Sequence, residues 1–437
     1  MKNFKIITVL IFCVPILLQA QNIEFTEFDL KNGLHVILHE DHSTPIVAVS
    51  IMYHVGSKNE NPDRTGFAHF FEHLLFEGSE NIERGQFDKL ITGAGGVNNA
   101  STSQDRTYYY EILPSNQLEL GLYLESERLL HAKIDSIGIE TQREVVKEER
   151  RQRYENTPYG TVIEQTMNRA YRVHPYRWMP IGSMEHLNAA QKEEFMEFYK
   201  TFYVPENAVL SIAGDINLKL TKKLVKKYFE DIPKGGKTIP TPNEVEPKQT
   251  EEVRDVVFDN IQLPAVIHAY HIPAQGTEDY YAMSMLAQIL SQGESSRLYK
   301  SLVDEQQKAV FVGAFPFGLE DPGLTLAFGI ANIGTGTSAE ALEEAMDNEY
   351  EKVKSELISE REFQKLKNQI ENDLISQNSS VAGIAENLAN YYMYFGNTSL
   401  INNEIKRYMS VTREDIQRAA KTYLDVNNRV ALYYLPK

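Results

Sequence analysis

The chain has almost no cysteine, since Cys13 is the single one among its 437 residues. Without a second cysteine no disulfide framework can stabilise the fold, which excludes the small, disulfide-rich class of secreted domains. The length instead fits two or more domains of ordinary size. An apolar content of 42% with 24% charged residues is typical of a packed globular protein.

Long apolar runs are also missing, apart from one at the N-terminus. There Lys2 and Lys5 precede an apolar stretch that contains Cys13 and ends at Ala20, after which the sequence turns polar at once. The stretch is short for a membrane span, and the pattern predicts a secretory signal peptide over residues 1–20. We therefore expect an exported protein, periplasmic or secreted, with no membrane span once the signal is removed. An uncleaved anchor helix is the alternative.

Positive charge is in deficit. The 44 lysines and arginines are outnumbered by 61 aspartates and glutamates, and the net charge of −17 becomes more negative once Lys2 and Lys5 leave with the signal. Such an acidic surface disfavours nucleic acids and anionic membranes as partners.

Strand and helix patterns both occur in the first half of the chain. Alternating apolar and polar residues predict strands over 25–55 and 207–216, whereas helical periodicity predicts helices over 63–78, 115–133 and 139–156. This mixture predicts an α+β fold built in layers.

A segment rich in proline, glycine and charge, PKGGKTIPTPNEVEP, shows no periodicity and is predicted to link two domains. We therefore divide the chain after the signal into an N-terminal α+β half (21–232), a linker (233–248) and a C-terminal α+β half (249–437). The same order of patterns recurs in the C-terminal half, which indicates a diverged duplication, with two unrelated domains as the alternative. Aligning Gly293 with Gly78 sets SMLAQ against HFFEH, so the second copy lacks the polar residues of the first.

The stretch HFFEHLLFEGSE carries the clearest chemical signal. His69 and His73 lie four positions apart, so on a helix their imidazoles project from one face and can bind a single metal ion. Glu72 is placed to reach water at the metal rather than the metal itself. The helix is otherwise apolar, and a buried unpaired carboxylate is costly, so a bound dication would compensate the polar residues. A pair of hydrogen-bonded core histidines beside an ion-paired glutamate is the alternative.

A catalytic zinc has three protein ligands and one open position. The best source of the third ligand is the acid-rich helix predicted over 139–156. Glu149 follows Val146 and Val145 by three and four residues, so we expect it to share their buried face. Glu148 is the rival candidate, because it lies three residues after Val145, although it is off the Val146 side of the helix.

Together these motifs resemble a known peptidase family. The order His-x-x-Glu-His, followed by a motif like REVVKEE that places Glu149, resembles the inverzincins, which are the pitrilysin and insulysin zinc metallopeptidases. The branch of the mitochondrial processing peptidase β-subunit is especially similar. Four further segments agree with the family pattern: GGVNNASTSQDRTYYY (95–110), HPYRWMPIGSMEHL (174–187), FYVPENAVLSIAGDI (202–216) and GESSRLYKSL (293–302).

The resemblance implies both a fold and a metal site. The fold would consist of two similar α+β halves, each a mostly antiparallel sheet with helices packed on it, and one chain would form half of a clamshell. One Zn²⁺ per chain would be held by His69, His73 and Glu149, with Glu72 as the general base that activates water.

The resemblance also implies how substrate binds. Extended peptide would add as a β-strand along NNASTS, around Asn99 and Ala100, which recognises backbone more than sequence. The expected function is therefore an exported zinc metalloendopeptidase that cleaves extended peptides or unfolded segments.

Two departures from the family pattern bear on that expectation. Gln142 stands where the family often has a glutamate, which would weaken the negative charge around the zinc ligands. Val303 and Val310 stand where the family's second half usually supplies an arginine and a tyrosine that grip the substrate. We therefore predict a hetero-oligomer with a homologous partner subunit that supplies the pair; a homodimer is possible.

A non-catalytic peptide-binding or scaffold subunit and a structural zinc protein are the competing functions.

Overall fold

The computed structural model describes residues 22–437. The predicted signal peptide, with Cys13, lies outside the described residues. Within residues 22–437 no helix combines the length and the apolar character that a membrane span requires.

Six strands form the first sheet: β1 (Thr26–Asp29), β2 (His35–Glu40), β3 (Ile46–Tyr53), β4 (Val97–Thr102), β5 (Thr107–Pro114) and β6 (Ala208–Gly214). Their order across the sheet is β1-β2-β6-β3-β5-β4, and every neighbouring pair is antiparallel except β2 and β6. The central strands β3 and β6 are apolar along their length because both faces of the sheet are covered. Strand β4, which reads VNNAST, lies at the edge and is half exposed.

Eight helices belong to the same part of the chain: α1 (Phe67–Leu74), α2 (Phe87–Gly93), α3 (Leu118–Leu130), α4 (Ser136–Arg150), α5 (Val162–Ala170), α6 (Met184–Ala189), α7 (Lys192–Phe202) and α8 (Leu218–Phe229). Aromatic residues at helical spacing join α1 to α7, because Phe67, Phe70 and Phe71 pack their rings against Phe195 and Phe198. The apolar side of α1 is thus fixed in the core.

Five strands form the second sheet: β7 (Val253–Asp259), β8 (Ala265–His271), β9 (Ala309–Phe317), β10 (Leu324–Ala331) and β11 (Arg429–Pro436). Their order is β7-β11-β8-β10-β9, with β7 and β11 as the parallel pair. When β7 is matched with β2 and β11 with β6, all five strands follow the order and direction of the first sheet. This shared topology favours the predicted duplication over two unrelated domains.

Six helices accompany the second sheet: α9 (Glu278–Ser291), α10 (Ala339–Ser355), α11 (Glu360–Gln377), α12 (Val381–Phe395), α13 (Glu404–Ser410) and α14 (Arg413–Tyr423). Between the two parts, residues 230–252 contain no helix or strand.

Each sheet also receives a helix from the other part of the chain. Helix α12 lies across β3 and β6 of the first sheet, where Leu388 and Ala385 share a core with Met52. In return α5 packs on the second sheet, where Met167 shares a core with Ile267. Because of this exchange, neither sheet is covered by helices of its own part alone.

Two helix boundaries differ from those predicted. The helix predicted over 63–78 is only α1, because Gly66 before it has the left-handed φ of +100° and irregular turns follow it. The helix predicted over 139–156 starts earlier, after the capping carboxylate of Asp135, and passes after α4 into a π-helical turn at Arg151–Glu155.

Candidate metal centre

Helix α1 presents the predicted metal-binding motif on one face. Its first N–H groups have no partner within the helix, and the buried carboxylate of Glu60 accepts hydrogen bonds from the backbone N–H groups of Gly66 at 2.8 Å and Ala68 at 2.9 Å. At the other side, the hydroxyl of Tyr109 on β5 donates to the carbonyl of Phe71 over 2.9 Å. Glu60 thus fixes the start of the helix, and Tyr109 joins its second half to the sheet.

Three side chains from α1 and α4 converge. His69 Nε2 lies 3.5 Å and His73 Nε2 lies 3.1 Å from the same oxygen, Glu149 Oε2. One ligand atom from each lies within 4.8 Å of the others, and no other such group of three occurs among residues 22–437. The ligand atoms of a tetrahedral zinc are about 3.3 Å apart when the Zn–N distances are about 2.0–2.1 Å. The spacing therefore fits one metal ion.

The donor set also suits zinc chemically. Burial, with a contribution from the neighbouring His73, lowers the pKa of His69 to about 4. The imidazole is therefore neutral at neutral pH, and its lone pair is available to a metal. Two imidazoles and one carboxylate form the ligand set of a catalytic zinc, which leaves a fourth position open.

Glu149, and not its neighbour Glu148, joins the histidines. Val146 is fully buried, but Val145 is 44% exposed, so the predicted buried face of α4 was wrong at that residue. The side chain of Glu148 is 53% exposed and pairs with Arg151 on the surface. Glu149 turns inward because its helix packs against α1 beside Val146.

The second oxygen of Glu149 is also held. Arg153 approaches Glu149 Oε1 at 2.8 Å from the π-helical turn that follows α4. This contact leaves Oε2 as the oxygen that faces the two histidines.

Glu72 lies on the same side of α1, next to His73 but outside the group of three. The hydroxyl of Thr102, at the end of β4, donates to Glu72 Oε2 over 2.6 Å. Burial raises the pKa of Glu72, and the hydrogen bond from Thr102 opposes that rise. A carboxylate with a raised pKa in such a site is suited to accept a proton from water.

Strand β4 carries the two predicted peptide-binding residues. Asn99 and Ala100 lie in the middle of this edge strand, which pairs on one side with β5. The N–H of Ala100 donates to the side chain of Asn99 over 2.9 Å. An edge strand offers unpaired N–H and C=O groups to an incoming strand.

Gln142 hydrogen-bonds to Glu77 and to none of the three converging side chains. Its Nε2 donates to Glu77 Oε1 over 2.5 Å, and Arg84 pairs with the other oxygen of Glu77 at 2.8 Å. The effect predicted for Gln142 on the metal would therefore pass through Glu77 and the turn after α1.

The two valines at the positions of the missing arginine and tyrosine lie in the second half. Val303 packs against the core beneath the second sheet, whereas Val310 is exposed on the edge strand β9. Neither side chain can donate a hydrogen bond to a substrate.

Three residues at the site were missed by sequence reasoning. Arg153 lies four residues after Glu149 on a helical segment, a spacing that predicts an ion pair. Thr102 lies within the NNASTS segment, but its contact with Glu72 depends on how β4 packs against α1. No spacing of residues in the sequence predicts the contact of Glu60 with the start of α1.

Two family models match this chain. The model described as insulinase (peptidase family M16) matches residues 35–179, which include His69, His73 and Glu149. The model described as the peptidase M16 inactive domain matches residues 189–370.

A zinc protease of Helicobacter pylori, PqqE, is 33% identical over 410 residues, which cover 93% of this chain and 92% of that protein. The chain belongs to the peptidase M16 family. A crystal structure of a protease from Helicobacter pylori matches with a TM-score of 0.90 and 31% identity, covering 95% of this chain and 100% of that one. Another M16 relative is a probable mitochondrial-processing peptidase subunit beta of Arabidopsis thaliana, 22% identical over 405 residues, or 90% of this chain and 75% of that one.

Membership of the M16 family confirms the resemblance inferred from the motifs. It also confirms the predicted α+β fold of two similar halves, since the Helicobacter pylori structure matches across both sheets. Relatives that are named zinc proteases associate M16 proteins of this kind with zinc and with proteolysis.

Proposed function

We propose that this chain is an exported zinc metalloendopeptidase that hydrolyses peptide bonds in extended peptides or unfolded segments. The observation that carries the proposal is the convergence of His69 Nε2, His73 Nε2 and Glu149 Oε2 beside the carboxylate of Glu72. The part of the chain that matches the insulinase model contains all four residues.

The proposed mechanism gives each residue a separate task. His69, His73 and Glu149 would hold one zinc ion, and the chemistry that zinc supplies when bound is Lewis acidity, which lowers the pKa of water toward about 7. Glu72 accepts the proton of the attacking water, since Thr102 occupies only one of its two oxygens. The same carboxyl then returns the proton to the leaving amine.

Substrate selection follows from the free edge of β4. An extended peptide that pairs with Asn99 and Ala100 would run along the side of the sheet on which α1 carries Glu72. Backbone pairing selects for extended conformation and not for particular side chains. Folded proteins, whose strands are already paired, would therefore be poor substrates.

A partner subunit is part of the proposal. Val303 and Val310 cannot supply the polar grip that the family's second half usually provides, and one M16 relative is itself named as a subunit. We therefore propose a hetero-oligomer with a homologous chain that carries the arginine and tyrosine; a homodimer, which would lack that pair, is the alternative. Export is proposed from the signal-like residues 1–20.

The same two valines favour a second candidate, a non-catalytic peptide-binding or scaffold subunit. Zinc content and cleavage of a quenched peptide library, measured for wild type and Glu72→Gln, separate the two functions. The protein is purified with any chain that accompanies it. The peptidase predicts that Glu72→Gln keeps its zinc and loses turnover by about a thousandfold or more. A wild-type protein that binds zinc and peptide without cleaving would contradict the peptidase and support the scaffold.

A further inference from the structure

One hydroxyl group connects the peptide-binding edge with the candidate base. Thr102 is the last residue of β4, and its Oγ1 donates to Glu72 Oε2 over 2.6 Å. Within residues 22–437 this is the one hydrogen bond that the Glu72 carboxylate makes, so Oε1 has no donor from the protein.

Both partners of this hydrogen bond are fixed in place. Thr102 pairs across the sheet with Thr107 of β5, and its β-branched side chain has few rotamers in a strand. Glu72 lies on α1, and the start of this helix is held by hydrogen bonds to Glu60. The softest torsion that remains is the rotation of the Glu72 carboxylate itself, which has a broad energy profile. A donor at Oε2 restricts that rotation.

Glu149 shows the same arrangement with a different donor. Arg153 holds Glu149 Oε1, and Oε2 is left facing the two histidines. In both carboxylates of the site, therefore, one oxygen is anchored by a protein donor and the other is left for chemistry.

We propose that Thr102 is the positioning residue of the general base: it anchors Glu72 Oε2 and thereby assigns Oε1 as the oxygen that takes the proton from water. This inference rests on the proposed peptidase function. The Thr102 hydroxyl donates to Glu72 and to none of the three converging side chains, and peptide would pair with the backbone of β4, which a change of the Thr102 side chain leaves in place. Its loss should therefore change turnover and leave zinc binding and peptide affinity in place.

The test compares six proteins: wild type, three single variants at Thr102 and Thr107, Glu72→Gln, and Glu72→Gln combined with Thr102→Val. Thr102→Val removes the hydroxyl and keeps the shape of a strand-forming residue, and Thr102→Ser restores a hydroxyl. Thr107→Val is the matched control, because Thr107 pairs with Thr102 on the next strand and its hydroxyl donates to the carbonyl of Val55 over 2.8 Å. For each protein, purified with any accompanying chain, zinc content, melting temperature, kcat and KM on a quenched peptide are measured.

Thr102→Val should lower kcat by about 10- to 100-fold, the range expected for one hydrogen bond to a charged group, with KM within about twofold of wild type. Thr102→Ser should return kcat to within about threefold of wild type, and all variants should retain their zinc. Thr107→Val should melt at a lower temperature and keep its kcat. In a Glu72→Gln background, Thr102→Val should cause no further loss, because its effect passes through Glu72.

Three results would overturn the inference: wild-type kcat in Thr102→Val, no recovery in Thr102→Ser, or an equal loss in the Glu72→Gln background. If Thr102→Val does not fold, Thr102→Ala takes its place with the same expectations. A wild-type protein that shows no zinc-dependent cleavage would instead refute the proposed function on which the inference rests.

Discussion

The two halves of this protein share one strand topology but differ in the helix that follows the corresponding strand. In the first half α1 directs His69 and His73 toward Glu149 of α4, whereas in the second half α9 directs mostly apolar, buried residues into the core. The aligned positions hold Ser284, Ala287 and Gln288 in the second copy. The same backbone arrangement thus carries either a helix with polar candidate site residues, as α1 does, or a helix that packs apolar residues into the core, as α9 does. The side chains determine which of the two it is.

The edge strands differ in the same way. Strand β4 of the first sheet is polar, VNNAST, and its last residue hydrogen-bonds to the candidate base. Strand β9, its counterpart in the second sheet, reads AVFVGAFPF, and the ring of the exposed Phe311 packs at a tilt against Phe328. Of the two described sheets, only the first therefore has an edge strand that hydrogen-bonds to the candidate base.

Replacing a candidate ligand in the first half by the aligned residue of the second half should have the largest effect on zinc content and activity. His73→Gln reproduces Gln288 at the aligned position and removes one converging nitrogen, so we expect zinc content to fall from one ion per chain to none. Peptide cleavage should fall by about a thousandfold or more. Elemental analysis and initial rates measure both.

Glu148→Gln is the matched control for that experiment, because Glu148 lies on the same helix as Glu149 but on the surface. It should keep both zinc and activity. Full zinc content in His73→Gln would show that the converging side chains are not the ligands.

A buried ion cluster beneath α1 should give the next largest effect. Arg128 is fully buried with Glu111 and Glu125, and its Nη1 donates to the carbonyl of Leu75 at the end of α1. Arg128→Met would leave two buried carboxylates without a countercharge, so it should lower the free energy of unfolding by about 3–5 kcal/mol. Denaturant unfolding measures this.

The exposed pair of Lys227 and Glu119 is the control for Arg128, and Lys227→Met should leave the denaturant midpoint almost unchanged. Equal losses in the two variants would mean that burial does not set the strength of these pairs.

The exchanged helices give a prediction of intermediate size. Leu388 of α12 is fully buried against the first sheet, although it belongs to the C-terminal part of the chain. Leu388→Ala should lower stability by about 2–4 kcal/mol and speed hydrogen exchange in β3 and β6. Leu220→Ala, at a residue 53% exposed on α8, should change stability by less than about 0.5 kcal/mol. Faster exchange confined to the second sheet would refute the exchange of helices.

Lowering the pH of the metal-free protein should have the smallest effect on its stability. Burial lowers the pKa of His69 from 6.5 to about 4, so the stability that neutral His69 contributes is present above pH 6.5 and is lost as the pH falls toward 4. At about 1.4 kcal/mol per pKa unit, the loss is at most about 3.5 kcal/mol.

His69→Ser, which copies Ser284, should remove this component of the acid sensitivity. Chemical unfolding with a chelator present, at neutral pH and at about pH 4.5, compares the two proteins. An unchanged pH dependence in His69→Ser would show that folding does not lower the pKa of His69.

Local patterns in the sequence were sufficient for the features that depend on local spacing. The strands β1, β2, β3 and β6, the apolar side of α1 and the placement of His69 and His73 on one face all follow from periodicity. The preference for Glu149 over Glu148 also came from helical spacing, although one of its two supporting valines, Val145, is exposed.

Features that depend on distant parts of the chain could not be predicted in this way. The apolar face of α12 indicates burial but does not indicate which sheet covers it, so the exchange of α5 and α12 was missed. The contacts of Thr102 with Glu72 and of Glu60 with α1 likewise depend on how separate elements pack. Residue spacing within one element carries no information about such contacts.

The central claim is that a single zinc ion joins α1 to α4, and anomalous diffraction at the zinc edge from crystals of the zinc-loaded protein tests it most directly. We expect one strong peak within about 2.0–2.2 Å of His69 Nε2, His73 Nε2 and a carboxylate oxygen of Glu149. A peak elsewhere in the molecule, or none at this position at full zinc loading, would contradict the account.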